Sequence, residues 1–220
     1  MAARTESISR LERRKEQTRR KLIGAARAML AADTAHTASI QEITEAADVG
    51  FGSFYNHFTS KTELFQAAVE DVLEETGQWL DRLGTDADDP ALTFARSIRL
   101  AVRISRARPE VAQVLVRHGL SYMDSDRGLA PRALRDITHG IATGRFQVDN
   151  PRLALAAVTG SLLAALHVFL TDADQLDEAA CDQLAEQLLR MLGVPAGEAR
   201  ELATASLPEL DAGPVDQSGE

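Results

Sequence analysis

The sequence lacks the cysteines that stabilise small secreted proteins. Among its 220 residues there is one cysteine, Cys181. No disulfide can therefore form within the chain, which favours a reducing compartment over secretion. The first residues are basic and polar and lack the apolar core of a signal peptide. We expect a cytoplasmic protein.

Aromatic residues and strand patterns are also scarce. Aromatic residues make up 5% of the chain, and no segment alternates apolar and polar residues over a useful length. Alanine and leucine are frequent, and the seven prolines lie almost entirely between segments whose apolar residues recur with helical spacing. These features predict an all-α protein.

Lysine is absent beyond Lys61, and the two parts of the chain differ in charge. Residues 1–62 contain ten Lys and Arg against seven Asp and Glu, whereas residues 63–220 contain fourteen Arg against twenty-six Asp and Glu. The net charge of −9 therefore conceals a basic end attached to an acidic body. This asymmetry is typical of a nucleic-acid-binding arm, although a solvated tail gives the same pattern.

One long uncharged run needs its own explanation. Residues 153–171 carry no charged side chain and approach the length that crosses a bilayer. The run is rich in alanine and contains Thr159, Gly160, Ser161 and His167, which suits a helix buried on two sides in a soluble protein. We expect no membrane interaction.

Apolar periodicity and turn residues predict two domains with about nine or ten helices in all. The first domain, residues 1–62, would consist of a basic arm (1–16) and helices at 18–32, 39–47 and 50–57. A long helix at 60–83 would cross into the second and larger domain, residues 63–206, which would add helices at 91–107, 109–121, 129–142, 151–171, 177–192 and 196–206. A disordered tail is expected at 207–220.

Two capping boxes mark helix starts, one from Ser39 to Glu42 and one from Ser60 to Glu63. In each box the serine hydroxyl can accept a hydrogen bond from a free amide while the glutamate reaches back. The short helix after Ser39 stops near Asp48, and a third helix follows almost at once. Two short helices joined by a tight turn after a supporting helix form the unit that places one helix in the major groove of DNA.

The third helix carries groups suited to DNA on the face opposite its expected core. That core would comprise Ile40, Ile43, Ala47, Val49, Phe54 and Phe58. Gly50 and Gly52 lack a Cβ and would let the backbone approach DNA closely. Ser53 could hydrogen-bond a base edge or phosphate, and Phe51 could meet thymine methyl groups.

Other side chains nearby are candidates for phosphate contacts. Tyr55, His57 and Lys61 offer hydrogen-bond donors. Ser39 and the Lys61 amide lie at helix N-termini, which attract anions. These contacts would fix the register of the protein on DNA, while Phe51, Gly52 and Ser53 would carry specificity.

Residues 18–66 resemble the DNA-binding signature of the tetracycline-repressor (TetR-like) family. The motif residues with their spacing are Tyr55, His57, Phe58, Lys61 and Leu64. The resemblance implies a dimeric regulator, usually a repressor, with nine or ten helices and a ligand cavity in the C-terminal domain. It also suggests that Arg19 and Arg20, with Arg13 and Arg14, reach phosphates or the minor groove.

Two positions depart from the family pattern. Asp48 stands where the family often has a glycine in the turn, and Asp tolerates left-handed backbone better than most residues. Gly50 replaces the usual Ser or Thr cap and is a weaker cap by a few tenths of a kcal/mol. The operators of relatives therefore do not transfer to this chain.

The helices at 151–171 and 177–192 match the family pair that forms a four-helix bundle across a two-fold axis. Small residues permit close approach on the first helix, and leucines give the second an apolar face: Ala156, Ala157, Gly160, Ala164, Ala165, Leu184, Leu188, Leu189 and Leu192. A buried core would show the same pattern. Because a helix-turn-helix needs two-fold symmetry to read a palindrome, we expect a homodimer.

Ligand-pocket candidates are polar or aromatic residues within apolar helices: Phe94, Arg103, His118, Tyr122, His139, Phe146 and His167. Each of these residue types, taken alone, is more often an ordinary core or surface residue than part of a pocket. Arg103 belongs to a stripe with Arg96, Arg99 and Arg106, which fits a solvated face or a site for an anionic ligand. The histidines share no metal-ligand spacing, so no metal and no cofactor are expected.

The sequence observations predict a homodimer that binds a palindromic site in double-stranded DNA, and the family resemblance implies a repressor that is released by a small-molecule effector. One alternative is a DNA-binding regulator that is constitutive or controlled by a protein. An enzyme with an accessory helix-turn-helix has less support, because no nucleophile–base pair or glycine-rich phosphate loop is present.

Overall fold

The computed structural model of the chain describes residues 10–84, 89–172 and 178–208. Across these ranges the chain forms ten α-helices, one short 3-10 helix and no strand, which confirms the all-α prediction. The chain divides into two compact units, Met1–Asp71 and Val72–Glu220. From residue 209 onward the predicted tail lies outside the described residues.

The first unit contains three helices and the start of a fourth. They are α1 (Arg10–Ala31), α2 (Ile40–Ala46), α3 (Phe51–Phe54) and α4 (Lys61–Gly84), which continues into the second unit. The second unit adds α5 (Pro90–Ala107), α6 (Pro109–His118), the 3-10 helix (Gly119–Tyr122), α7 (Leu129–Ala142), α8 (Pro151–Thr171), α9 (Glu178–Met191) and α10 (Ala196–Thr204).

Helix α1 begins at Arg10, so the predicted start at residue 18 is wrong. Residues 10–17 are strong helix formers, and local contacts support the extra turns. Arg20 Nε lies 3.0 Å from Glu16 Oε1 one turn away, and the Thr18 hydroxyl donates to the Arg14 carbonyl. Residues 10–16 of the predicted basic arm are therefore helical, and residues 1–9 of it lie outside the described residues.

The core of the first unit forms where α1, α2 and α3 turn their apolar faces together. Its fully or nearly fully buried side chains include Leu22, Ala26, Ile43, Ala47, Phe54, Phe58 and Leu64. Of the predicted core residues, Ile40 and Val49 are half-buried. The four-residue α3 is too short to be stable alone, so burial of Phe54 holds it in place.

Two helices of the second unit, α5 and α8, begin with a side-chain cap. Asp89 accepts a hydrogen bond from the Ala91 amide before α5, and Asn150 accepts from the Arg152 and Leu153 amides before α8. A proline occupies the first turn of each helix, where its missing amide costs nothing. The main core lies among α5, α7, α8, α9 and α10.

Arg99 does not lie on a solvated face, so that interpretation of the arginine stripe is wrong at this position. Its side chain is buried, and its Nε lies 2.6 Å from Asp182 Oδ1 on α9. Its Nη1 donates to the Ala205 carbonyl after α10. A buried charge must be paired, and this pairing joins α5 to α9 and to the end of α10.

Helix α8 is apolar throughout but only partly covered. In the described parts of the chain it is the one helix long and apolar enough to cross a membrane, and 33% of its most apolar 18-residue window is buried. Its buried side chains include Leu155, Val158 and Leu166, whereas Leu153 is 67% exposed. The helix therefore packs one face on the core and leaves another open.

Candidate nucleic-acid interface and interior cavity

The first capping box forms as predicted and fixes the start of α2. The Glu42 amide donates to Ser39 Oγ over 3.2 Å, and the Ser39 amide donates to Glu42 Oε2 over 2.7 Å. The hydrogen bond from the Ser39 amide lowers the pKa of the Glu42 carboxyl, so this cap is ionised at neutral pH. The supporting helix therefore enters the turn in a defined orientation.

The turn between α2 and α3 depends on Asp48. Its φ of 50° lies in the left-handed region, which Asp tolerates better than most residues other than glycine. Lys21 Nζ lies 3.0 Å from Asp48 Oδ2, which ties the turn to α1. At the next element Gly50 precedes α3 with extended backbone and no side-chain cap.

Helix α3 exposes two large aromatic side chains. Phe51 is 54% and Tyr55 is 56% exposed. Their rings meet edge to face with centroids 6.0 Å apart, and Tyr55 also lies edge-on to the buried Phe54 at 5.3 Å. The two half-exposed rings therefore form a small aromatic patch on the surface of this unit.

Gly52 lies between these aromatic residues and has no structural need to be glycine. A Cβ built on Gly52 would meet no atom within 4 Å, and its φ is not in the left-handed region. A glycine inside a helix costs about 0.5–1 kcal/mol relative to alanine. The open surface at Gly52 therefore suits the close approach of something outside this unit.

The predicted phosphate-binding residues fall into different environments. Arg20 is exposed and pairs with Glu16 on its own helix, and the Arg19 guanidinium lies 5.3 Å from the centre of the Phe58 ring. His57 is half-buried. Its burial lowers the pKa of the imidazole, and the positive charges of Lys15 and Arg19 lower it further, so the imidazole is neutral at pH 7.

The side chain of Lys61 forms hydrogen bonds within the first unit. Its Nζ donates to the His36 carbonyl over 3.1 Å and to the Ala38 carbonyl over 2.8 Å. The ammonium thereby holds the connection between α1 and α2 against the start of α4. Sequence reasoning missed this role, because a lysine at a helix start gives no sign of carbonyls 23 and 25 residues earlier.

The second unit encloses an apolar cavity of about 460 Å³. Its walls come from α4, α5, α6, the 3-10 helix, α7 and α8. Most lining side chains are apolar, among them Leu80, Phe94, Ile98, Leu115 and Leu162. The volume and the apolar lining fall within the usual range for small-molecule sites, about 300–1,000 Å³.

Four charged residues line the same cavity and pair with one another: Asp81 on α4 with Arg132, Arg135 and Asp136 on α7. Arg132 Nε lies 2.6 Å from Asp81 Oδ2, Arg135 Nη2 lies 3.1 Å from Asp81 Oδ1, and Arg135 Nε lies 2.9 Å from Asp136 Oδ1. Burial raises the pKa of Asp81, but the hydrogen bonds from the two arginines lower it further, so the carboxyl is ionised at neutral pH.

Glu74 completes this network without lining the cavity. Both of its oxygens accept hydrogen bonds from Arg132, at 3.0 Å each, and Oε2 also accepts from the Gly128 amide at 2.9 Å. Hydrogen bonding from Arg132 lowers the pKa of Glu74 to about 2. Arg132 is thus fixed by two carboxylates of α4 while its side chain borders the cavity.

Of the predicted pocket residues, Phe94 and Tyr122 line the cavity. Phe146 lies behind it, with its ring 5.7 Å from that of Phe94 in the main core. The remaining candidates, Arg103, His118, His139 and His167, are not among the residues that line this cavity. Within the described residues no group of three or more His, Cys, Asp or Glu is arranged to hold a metal ion.

The sequence analysis did not predict that these charged residues line the cavity. The spacing of Arg132, Arg135 and Asp136 on one turn of α7 gives a signal, because residues three and four apart share a helix face. The pairing with Asp81, 51 residues earlier in the chain, has no such signal.

Comparison with known proteins places this arrangement in a family. Residues 22–68 match the family described as bacterial regulatory proteins, tetR family, and residues 89–205 match the Tetracyclin repressor-like C-terminal domain. The solved structure of RolR in complex with its ligand resorcinol is 39% identical, covers 90% of this chain and 98% of its own, and has a TM-score of 0.65.

Two more distant similarities are one in structure and one in sequence. A tetR-family transcription regulator from Shewanella sp. PV-4 is 18% identical over 81% of this chain and 99% of its own, with a TM-score of 0.71. The nucleoid occlusion factor SlmA of Haemophilus ducreyi is 22% identical over 86 residues, which span 39% of this chain and 43% of that protein. With its two domain matches, the chain belongs to the TetR family of bacterial DNA-binding transcriptional regulators.

Proposed function

We propose that this protein is a repressor that binds a palindromic operator as a homodimer and releases it when a small hydroxylated aromatic compound occupies the cavity. The DNA-binding part of the proposal rests mainly on the surface of α3. There Phe51 and Tyr55 are exposed, and Gly52 has open space where a side chain would be. Their neighbour Phe54 is the residue that holds the helix in place.

On DNA, α3 enters the major groove, and Phe51, Gly52 and Ser53 meet the base edges. The proposed contacts with the DNA backbone come from six residues of the first unit: Arg19, Arg20, Ser39, Gly50, Tyr55 and His57. His57 would act as a neutral donor, because its pKa is lowered. Lys61 supports the surface from behind through its bonds to the His36 and Ala38 carbonyls.

The test begins with selection of sequences from a random duplex library by the full chain. Binding of the selected duplex is then compared with a scrambled duplex by fluorescence anisotropy at several salt concentrations. We expect a palindromic consensus that is bound at least about a thousandfold more tightly than the scrambled duplex. Equal affinity for both duplexes would refute sequence-specific recognition.

A second copy of the chain is the proposed partner of the open face of α8. Ala156, Gly160 and Ala164 are exposed at helical spacing between the exposed Leu153 and Val168. A Cβ at Gly160 would meet no atom within 4 Å, so this strip offers room for a closely packed helix. Two-fold pairing here, with α9 beside it, would present two copies of α3 to a palindrome in the cytoplasm and needs no membrane.

The proposed release by a small molecule rests on the cavity and on the charged residues that line it. RolR, at 39% identity, is solved with resorcinol, an aromatic ring with two hydroxyl groups. The apolar walls here suit such a ring, and the Asp81 and Asp136 carboxylates are acceptors for its hydroxyl groups. An analogue without hydroxyl groups would offer these carboxylates no donor and would still displace water from them, so it should bind more weakly.

Trp79 offers a direct assay, since it is the single tryptophan of the chain and precedes the cavity residues Leu80 and Asp81. We expect resorcinol, but not toluene, to change its fluorescence in a saturable way and to dissociate the selected duplex. Asp136→Asn should weaken resorcinol binding about tenfold or more, because a charged acceptor is lost. Asp149→Asn, at an exposed position outside the cavity lining, should have no effect.

The alternatives make different predictions in the same experiment. A constitutive or protein-controlled regulator would bind the duplex but ignore resorcinol and its analogues. An enzyme would convert the compound, whereas we expect resorcinol to be recovered unchanged after incubation.

Release would follow from a difference in affinity between two states. The ligand must bind the DNA-free state better than the DNA-bound state, or the equilibrium does not move. Successive half-sites are about 34 Å apart on DNA, so a change of a few ångströms in the separation of the two α3 helices would prevent simultaneous docking.

A further inference from the structure

We propose that Phe51 is a specificity-determining residue that selects operators by the C5-methyl group of thymine. The inference rests on the proposed DNA-binding function and adds a base and a chemical group to it. Among the described residues of the first unit, the large hydrophobic side chains that are exposed are Leu11, Phe51 and Tyr55. Phe51 and Tyr55 lie on or directly after α3.

Phe51 contributes little to its own unit. It is 54% exposed, while the neighbouring Phe54 and Phe58 fill the core. An aromatic side chain that is half exposed to water forgoes part of the free energy that its full burial would supply. Burial on a partner would recover this energy, which favours a role at the contact surface.

Tyr55 holds the ring of Phe51 in a defined direction. The edge-to-face contact at 6.0 Å joins them, and Tyr55 is in turn set by its contact with Phe54 at 5.3 Å. Phe54 is fully buried, so the row of rings is anchored in the core. Phe51 is therefore presented with reduced freedom, which lowers the entropy lost on binding.

The major groove offers an apolar ring one main target. Guanine, adenine and cytosine present donors and acceptors there, whereas thymine also presents a methyl group. Gly52, with open space where a side chain would be, allows the base pairs to come close beside Phe51. A ring that cannot form hydrogen bonds gains most from burying that methyl group, so each half-site should contain a thymine that Phe51 covers.

The experiment removes the methyl group and nothing else. In the selected duplex each thymine is replaced in turn by deoxyuridine, and affinities are measured by anisotropy for the wild-type chain, Phe51→Ala and Leu11→Ala. For the wild type we expect one position per half-site where the loss is about fourfold, and about fifteenfold when both half-sites are changed. Phe51→Ala should abolish this dependence, and Leu11→Ala, which removes another exposed apolar side chain, should retain it.

Phe51→Leu keeps an apolar side chain and should retain part of the dependence, which separates loss of a methyl contact from loss of folding. Thermal unfolding of each variant should match the wild type, because the ring is not part of the core. A wild type insensitive to deoxyuridine at every thymine, or a dependence that survives in Phe51→Ala, would overturn the proposal while leaving DNA binding intact. A chain with no sequence preference at all would refute the proposed function itself.

Discussion

Replacing Gly52 by alanine is expected to raise stability and lower DNA affinity at the same time. Gly52 lies in α3 with φ outside the left-handed region, and a Cβ there would meet no atom within 4 Å. The added methyl group therefore causes no clash inside the unit. Alanine is favoured over glycine in helices by about 0.5–1 kcal/mol, and we expect the lower value because α3 has four residues.

The cost of the methyl group appears when DNA is bound. If base pairs approach Gly52 closely, an extra carbon at that contact has the effect of overpacking, which typically costs 1–3 kcal/mol. We therefore expect affinity for the selected duplex to fall about tenfold or more. Chemical denaturation gives the free energy of unfolding, and fluorescence anisotropy gives the affinity.

Gly24→Ala is the matched control. Gly24 is an exposed glycine in the middle of α1, and a Cβ there would also meet no atom within 4 Å. It should gain about 0.5–1 kcal/mol in stability with no loss of affinity. If Gly52→Ala bound DNA as well as the wild type, the placement of α3 at the groove would be wrong. If it lost stability, the reasoning from open space would be wrong.

Three further changes test other parts of the account. Ala164→Arg should yield monomers by sedimentation and abolish tight operator binding, whereas Ala107→Arg, at an exposed alanine elsewhere, should stay dimeric; a dimeric Ala164→Arg protein would contradict the α8 interface. Glu74→Gln should lower the free energy of unfolding by about 2 kcal/mol at pH 7, since it loses charged hydrogen bonds to Arg132. Because the pKa of Glu74 falls from 4.5 to about 2 on folding, this difference should shrink as the pH drops below 4.5, and a constant difference down to pH 3 would refute the assignment. Lys61→Met should lower the free energy of unfolding by about 1–2 kcal/mol and leave the salt dependence of DNA binding unchanged, whereas a slope reduced by about one unit would show that Lys61 reaches a phosphate.

Features set by neighbours in the sequence could be predicted. The capping box at Ser39, the left-handed backbone at Asp48 and the burial of Phe54 depend on residues within a few positions, so spacing and residue type are enough. The family motif at Tyr55 and its neighbours then indicated the fold of the rest. The early start of α1 was missed because its first two turns are polar except for Leu11 and show no apolar stripe.

Features set by contacts distant in the chain could not be predicted. Arg99 belongs to a regular stripe that fits a solvated face, and its buried bond to Asp182 joins residues 83 positions apart. From the sequence, Lys61 suits a contact with a DNA phosphate, and only the structure shows its hydrogen bonds to the His36 and Ala38 carbonyls. In both cases a charged side chain on a helix has the same sequence pattern whether its partner is water, DNA or another helix.

The charged side of the cavity belongs to the same class. The search for polar or aromatic residues within apolar helices found Phe94 and Tyr122. It missed Asp81 and Arg132, because the sequence pattern of their helices predicts that such charged residues face solvent. Their proximity results from packing of α7 against α4, which no local pattern encodes. Charged residues in a mostly apolar cavity are therefore found only once the helices are placed.

The most direct test of the central claim is titration of a fluorescently labelled selected duplex with the wild-type chain, followed by addition of resorcinol. The account predicts saturable binding with two protomers per palindrome, little affinity for the scrambled duplex, and dissociation as resorcinol fills the cavity. Binding without sequence preference, or a single protomer on the palindrome, would contradict it. Persistence of the complex at resorcinol concentrations that saturate the Trp79 signal would show that filling the cavity does not release DNA.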